Sequence, residues 1–146
     1  MKKILLLLLS LMIVTACSPK TGIEVTEAWT RAAPQGENGA VYFVITNYSA
    51  DDELVGVSME IAEVVEIHES EMTHDVMQMH MIHSVPLVSG ERVQFSPGGL
   101  HVMLVNLQHD LQIGETIEIV LLFANNADMT VTLPVQAGPG HSELDE

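Results

Sequence analysis

From residue 23 onward the chain is a succession of short β-branched, apolar runs separated by turn residues. The runs predict strands over Ile23–Trp29, Ala40–Asn47, Glu53–Met59, Ala62–Glu69, Asp75–His83, Arg92–Ser96, Leu100–Leu107, Thr116–Phe123 and Met129–Val135. The breaks carry turn chemistry: Ala33-Pro34-Gln35-Gly36, Ser49-Ala50-Asp51-Asp52, Ser89-Gly90, Pro97-Gly98-Gly99, Ile113-Gly114-Glu115 and Asn125-Asn126. No window of a dozen residues holds a clear helical period, although residues 52–71 leave helix and strand open. Many short strands without intervening helices imply a β-sandwich or barrel. At 146 residues the chain suits one domain with a hydrophobic core and no disulfide.

The first segment follows a different rule. Lys2 and Lys3 precede an apolar stretch, Ile4–Ala16, which ends at the small residue before Cys17. At helical rise it spans about 20 Å, short of the roughly 30 Å hydrocarbon core of a bilayer. It therefore reads as a signal peptide over residues 1–16 rather than a retained span. Val14-Thr15-Ala16-Cys17 resembles the lipobox of bacterial lipoproteins, with Cys17 as the lipidated residue and residues 17–22 as a tether. An ordinary cleaved signal with a chance Cys is the competing reading. The expectation is an exported protein, anchored by lipid alone on the outer side of the cytoplasmic membrane or in the periplasm. The tail over residues 137–146 has no apolar pattern and is expected to be flexible.

Charge and cysteine count narrow the function. Beyond residue 16 only Lys20, Arg31 and Arg92 oppose 20 acids, a net of −17. Such a body cannot displace the counterions of a nucleic acid, nor dock on anionic lipid through a basic patch. Cys17 is the only cysteine, so the domain has no CxxC pair, Cys nucleophile or thiolate metal site. No G-x-S-x-G elbow or H-E-x-x-H helix occurs, and no enzyme is expected.

What stands out is 7 His and 9 Met against 3 Phe, 2 Tyr and 1 Trp. His68, Met72, His74, Met77, Met79, His80, Met81 and His83 fall within sixteen residues, followed by His101 and Met103. Thioethers are soft neutral donors and imidazole is borderline, a mixture that favours Cu(I) over zinc, iron or calcium. His101 and Met103 are two apart in an apolar strand, which places both on one face about 6.6 Å apart. Met77, Met79, Met81 and His83 share a face by the same rule, so alternation does not choose among them. Met59 and Met129 read as core filler, Trp29 as a packing residue, and His109 and His141 as bystanders.

The spacing H-x10-M-x21-H-x-M, from His68 through Met79 to His101 and Met103, resembles the signature of the periplasmic copper chaperones called PCuAC. Val25–Arg31, Tyr42–Asn47, Glu66–Glu69, Gly98–Leu104 and Gly114–Thr116 are similar to further segments of that family. The resemblance implies an all-β, cupredoxin-like Greek-key sandwich in a single domain over residues 23–136. It implies one Cu(I), held by His68, Met79, His101 and Met103; the strongly acidic surface, for its part, suits a monomer. It also implies delivery to a copper-accepting protein, cytochrome c oxidase or another assembly chaperone. His74, Met77, His80, Met81 and His83 exceed the motif and are candidates for an accessory or capture site. Two other classes stay open: a sequestration protein for copper tolerance, and a structural β-sandwich lipoprotein without metal.

Overall fold

The computed structural model describes residues 20–74 and 76–138. The expected signal segment, Cys17, and the tail residue His141 lie outside the described residues, as does Asp75. Ten strands follow one another: β1 (Ile23–Arg31), β2 (Gly39–Asn47), β3 (Asp52–Ser58), β4 (Ala62–Thr73), β5 (Val76–Ile82), β6 (Val85–Leu87), β7 (Arg92–Phe95), β8 (Leu100–Leu107), β9 (Thr116–Phe123) and β10 (Met129–Gln136). They hydrogen-bond in the order β5-β4-β8-β7-β2-β1-β10-β9-β3-β6. The order folds into two layers. One runs from β5 to β1 and the other from β10 to β6, joined where β1 lies parallel to β10 at Thr30↔Val135 and Arg31↔Gln136.

Alternation sets which side chains lie between the layers. In β9, Ile117, Ile119, Leu121 and Phe123 are buried while Thr116 and Glu118 are exposed, the period of a half-buried strand. Val41, Phe43 and Ile45 of β2 meet Val102 and Leu104 of β8 in the same core. Phe43 stacks on Phe95 with ring centroids 4.3 Å apart, an arrangement that adds about 0.5–1.5 kcal/mol beyond the area buried. On the reverse side of β2, Tyr42 is covered by Trp29, their ring centroids 4.7 Å apart. Trp29 is thus a packing residue, and Met59 and Met129 pack against the core.

Asp52 fastens the start of β3 to the turn after β9. Its carboxylate accepts the backbone N–H groups of Glu53, Asn125 and Asn126 at 2.8, 2.9 and 3.0 Å, and both Asn side chains as well. Burial by itself would raise this carboxyl. The side-chain donor of Asn126 and the three backbone N–H groups outweigh burial and hold it below the usual carboxylate range.

Residues 52–71 are two strands and a turn, which agrees with the strands expected there and leaves no helix. Two details differ from the sequence expectation. β4 runs to Thr73 rather than stopping at Glu69, because Thr73↔Val76 closes a two-residue hairpin turn in place of a longer loop. β6 was not expected at all. It is three residues long, contains Pro86, and among the described residues pairs only with β3, so it fits an edge position where a missing N–H is tolerated.

Candidate metal centre

Register, more than alternation, assembles the candidate residues. β4 pairs with β8 so that His68 stands opposite His101 and Glu66 opposite Met103. On its other edge β4 pairs with β5, which sets Met81 opposite His68, Met79 opposite Ser70 and Met77 opposite Met72. Directly opposed residues of an antiparallel pair share a face. His68, His101, Met103 and the thioethers of β5 therefore occupy one side of a three-stranded surface. It is the outer side, because Ile67 and Val102, next to the two histidines in sequence, are buried in the core.

The accessory candidates separate on the same geometry. Met77 and Met81 lie on the face of His68. His80 pairs with Glu69 and so faces the other way, its Nε2 3.7 Å from the Glu69 carboxylate. His74 sits exposed in the hairpin turn with φ of +52°, and His83 lies exposed just past the end of β5. The run of eight His and Met residues is thus not one cluster in space.

The two central imidazoles are held differently. His68 has its Nε2 2.8 Å from Glu66 Oε2. His101 has its Nδ1 2.9 Å from the carbonyl oxygen of Gly99. Carboxylate and carbonyl oxygens only accept, so His68 donates through Nε2–H and His101 through Nδ1–H. The lone pairs of the neutral rings then lie on His68 Nδ1 and His101 Nε2. His68 Nδ1 is buried and has no hydrogen-bond partner. An orphaned buried acceptor costs about 1–3 kcal/mol, and a bound cation would satisfy it. The ring centroids are 5.8 Å apart, close enough for both to serve one ion.

The Pro97-Gly98-Gly99 turn positions His101. Gly98 has φ of +82°, which a side chain resists, and the turn brings the Gly99 carbonyl under both the imidazole and the Ser70 N–H at 3.1 Å. His101 is only 4% exposed, unusual for an imidazole, whereas Met79 is 52% exposed. Met79, His101 and Met103 line one open groove of about 470 Å³, together with Ser70, Gly98 and Tyr42. Burial pushes the Tyr42 phenol up, and Arg31 draws it back only in part, so its hydroxyl stays neutral and adds no hard anionic oxygen. A larger groove, about 830 Å³, lies across β3 and β9 and offers one imidazole, His109, and one thioether, Met59. The paired imidazoles are not there. Among the described residues no group of three or more His, Cys, Asp or Glu side chains converges to hold a metal.

Comparison with known proteins agrees with this layout. The LpqE-like family profile, described as a lipoprotein family, matches residues 23–135. The chain belongs to the LpqE-like family. Among curated relatives, the lipoprotein-named Lxx21020 of Leifsonia xyli subsp. xyli is 28% identical over 123 residues, 84% of this chain and 74% of the relative. Among solved structures, the copper-bound PCuAC domain from PmoF2 superposes with a TM-score of 0.67 at 26% identity, covering 81% of this chain and 96% of that domain. The Cu(I) form of DR1885 from Deinococcus radiodurans gives a TM-score of 0.58 at 25% identity, over 86% of this chain and 83% of that one. The LpqE-like chain therefore has the cupredoxin-like sandwich of PCuAC domains, as its motif led one to expect.

Sequence reasoning missed two parts of the site. Glu66, which fixes the His68 ring, and the Gly99 carbonyl, which fixes His101, were read only as family-like context. Glu66 carries a local signal, since it lies two residues from His68 on the same strand face. The Gly99 carbonyl carries none, because it is a backbone atom aimed by a turn.

Proposed function

We propose that this protein is an extracytoplasmic copper chaperone that holds one Cu(I) between His68, Met79, His101 and Met103. The observation that carries the proposal is the opposed pair His68–His101, whose free nitrogens include a buried, unpartnered Nδ1, beside a groove that also takes in Met79 and Met103. Two thioethers and two neutral imidazoles form a soft, uncharged donor set suited to a monovalent soft ion. The proteins of similar structure with copper in their titles support the choice of metal.

Such a centre suits transfer. The ligands add no negative charge, so an acceptor with thiolates offers stronger donors and the ion moves toward it. The acidic surface raises the local cation concentration and favours encounter with a basic partner face. The acceptor we infer is the copper site of a respiratory oxidase, or an assembly chaperone before it, with the protein acting as a lipid-anchored monomer through Cys17. The role is binding and handover, without turnover.

The test is an anaerobic Cu(I) titration of the full chain, solubilised in detergent, against a competing chelator. Tight binding of one equivalent at the centre, lost in Met79→Leu/Met103→Leu, is the expected result. High-affinity binding indifferent to both substitutions would sink the ligand set. A sequestration role is separated genetically: deletion of a delivery protein lowers oxidase activity and is rescued by added copper. Deletion of a storage protein instead raises sensitivity to copper excess.

A further inference from the structure

We infer a second soft-metal site at the end of the β4–β5 hairpin, formed by Met72 and Met77, outside the four-residue centre. The inference rests on the copper reading above and extends it to how the ion arrives.

Beyond Ser70, whose N–H still donates to Gly99, the register of β4 continues with β5 alone: Glu71↔Gln78, Met72↔Met77 and Thr73↔Val76. Met72 and Met77 therefore oppose each other on a two-stranded ribbon. They are 61% and 51% exposed, and neither belongs to the hydrophobic core. Methionine usually serves as an adaptable filler of core gaps, and here there is no gap to fill. An exposed edge would ordinarily carry lysine or another charge to discourage pairing with other chains. Packing thus does not account for two thioethers at this place.

Metal chemistry does. Opposed residues have Cβ atoms about 4.5–5.5 Å apart, and each methionine has three rotatable bonds, so both sulfurs can close on one ion. Two neutral sulfurs favour a soft monovalent cation and offer little to calcium, magnesium or zinc. Glu69 and Glu71 on the other face of the hairpin add a field that draws cations to it. The pair is also in line with the centre. Met77 and Met79 are two residues apart on one strand face, a step of about 6.8 Å. An ion on the outer pair passes inward by ligand exchange: a bond forms to the Met79 sulfur, then the bonds to the Met72 and Met77 sulfurs break. No electron moves, and copper remains Cu(I) throughout.

The experiment is a titration of the full chain in detergent, carbon-13 labelled at the methionine methyls, with Cu(I) added under argon as its acetonitrile complex. Native protein, Met72→Leu/Met77→Leu and Met103→Leu are compared. In native protein the first equivalent is expected to shift the Met79 and Met103 methyls, and the second those of Met72 and Met77. Met72→Leu/Met77→Leu should keep the first step and lose the second. Met103→Leu should weaken the first step and leave the shifts of Met72 and Met77 in place. Met72 and Met77 methyls that stay unmoved through two equivalents, while Met79 and Met103 respond, would overturn the outer site and leave the centre standing. Movement of Met72 and Met77 without Met79 and Met103 would support the outer site and refute the centre.

Discussion

His68 and His101 face each other across β4 and β8 and are pinned through different nitrogens, Nε2 by Glu66 and Nδ1 by Gly99. The opposed pair thus leaves one Nδ1 and one Nε2 as the free nitrogens. Holding donors in place before binding removes part of the ordering cost that binding otherwise carries.

Glu66 is the test of that arrangement. Partners that orient a ligating histidine typically change metal affinity by about 10- to 100-fold when removed. Glu66→Ala should lower Cu(I) affinity within that range at unchanged stoichiometry, and shift the nitrogen-15 signals of His68 between tautomers. Glu66→Gln keeps an accepting oxygen and should recover part of the loss. Chelator competition beside the nitrogen-15 spectra checks both, and a Glu66→Ala protein with native affinity would contradict the positioning role.

Met79→Leu and Met103→Leu should separate binding from stability. Both swaps conserve volume and cost less than about 1.5 kcal/mol even in a packed core. Met79 is half exposed, so its substitution should leave the urea midpoint unchanged, and Met103, partly buried beside the β2 edge, should move it slightly. Cu(I) affinity should fall in both. A large midpoint shift for Met79→Leu would mean its role is structural.

Asp52 predicts an acid-sensitive joint between β3 and the turn after β9. Its carboxyl is depressed in the folded chain and returns to about 3.9 on unfolding, so the unfolded chain binds the proton more readily. The stabilisation is complete above that value and disappears as pH falls through the lower, folded one. Asp52→Ala removes the buried carboxylate that accepts these part-buried hydrogen bonds and should cost about 1–3 kcal/mol at pH 7. Urea unfolding of native and variant protein between pH 7 and pH 3 should show the two curves converging as the solution becomes acid.

Leu104 reports on the core beneath the centre. It is fully buried, lies next to Met103 in β8, and its methyl would be 3.4 Å from a Cβ placed at Gly39. Leu104→Ala should cost about 2–5 kcal/mol through lost burial and the cavity left behind. If β8 keeps its register, Cu(I) affinity below the unfolding midpoint should change far less than for Met103→Leu, as calorimetry and chelator competition would show.

While the four residues of the proposed centre came from the motif's resemblance to a family, the sequence by itself determined the all-β architecture and the strands of the core. These were legible because alternation is local: a period of two tells which neighbours along a strand share a face, as for His101 and Met103. Alternation could not choose among Met77, Met79 and Met81, and it left His74, His80 and His83 as candidates for an accessory site. Only the tertiary structure decided which of these residues share a face, because that depends on the register between strands, whose paired residues lie 11 positions apart for Glu69 and His80 and 33 apart for His68 and His101. Pairing Glu69 with His80 turned that imidazole to the face opposite His68, pairing Ser70 with Met79 put a thioether into the groove, and pairing His68 with His101 set two distant histidines opposite each other. The Gly99 carbonyl and the short β6 escaped the sequence for a related reason: backbone atoms and three-residue edge strands have no pattern of their own until the rest of the chain folds against them.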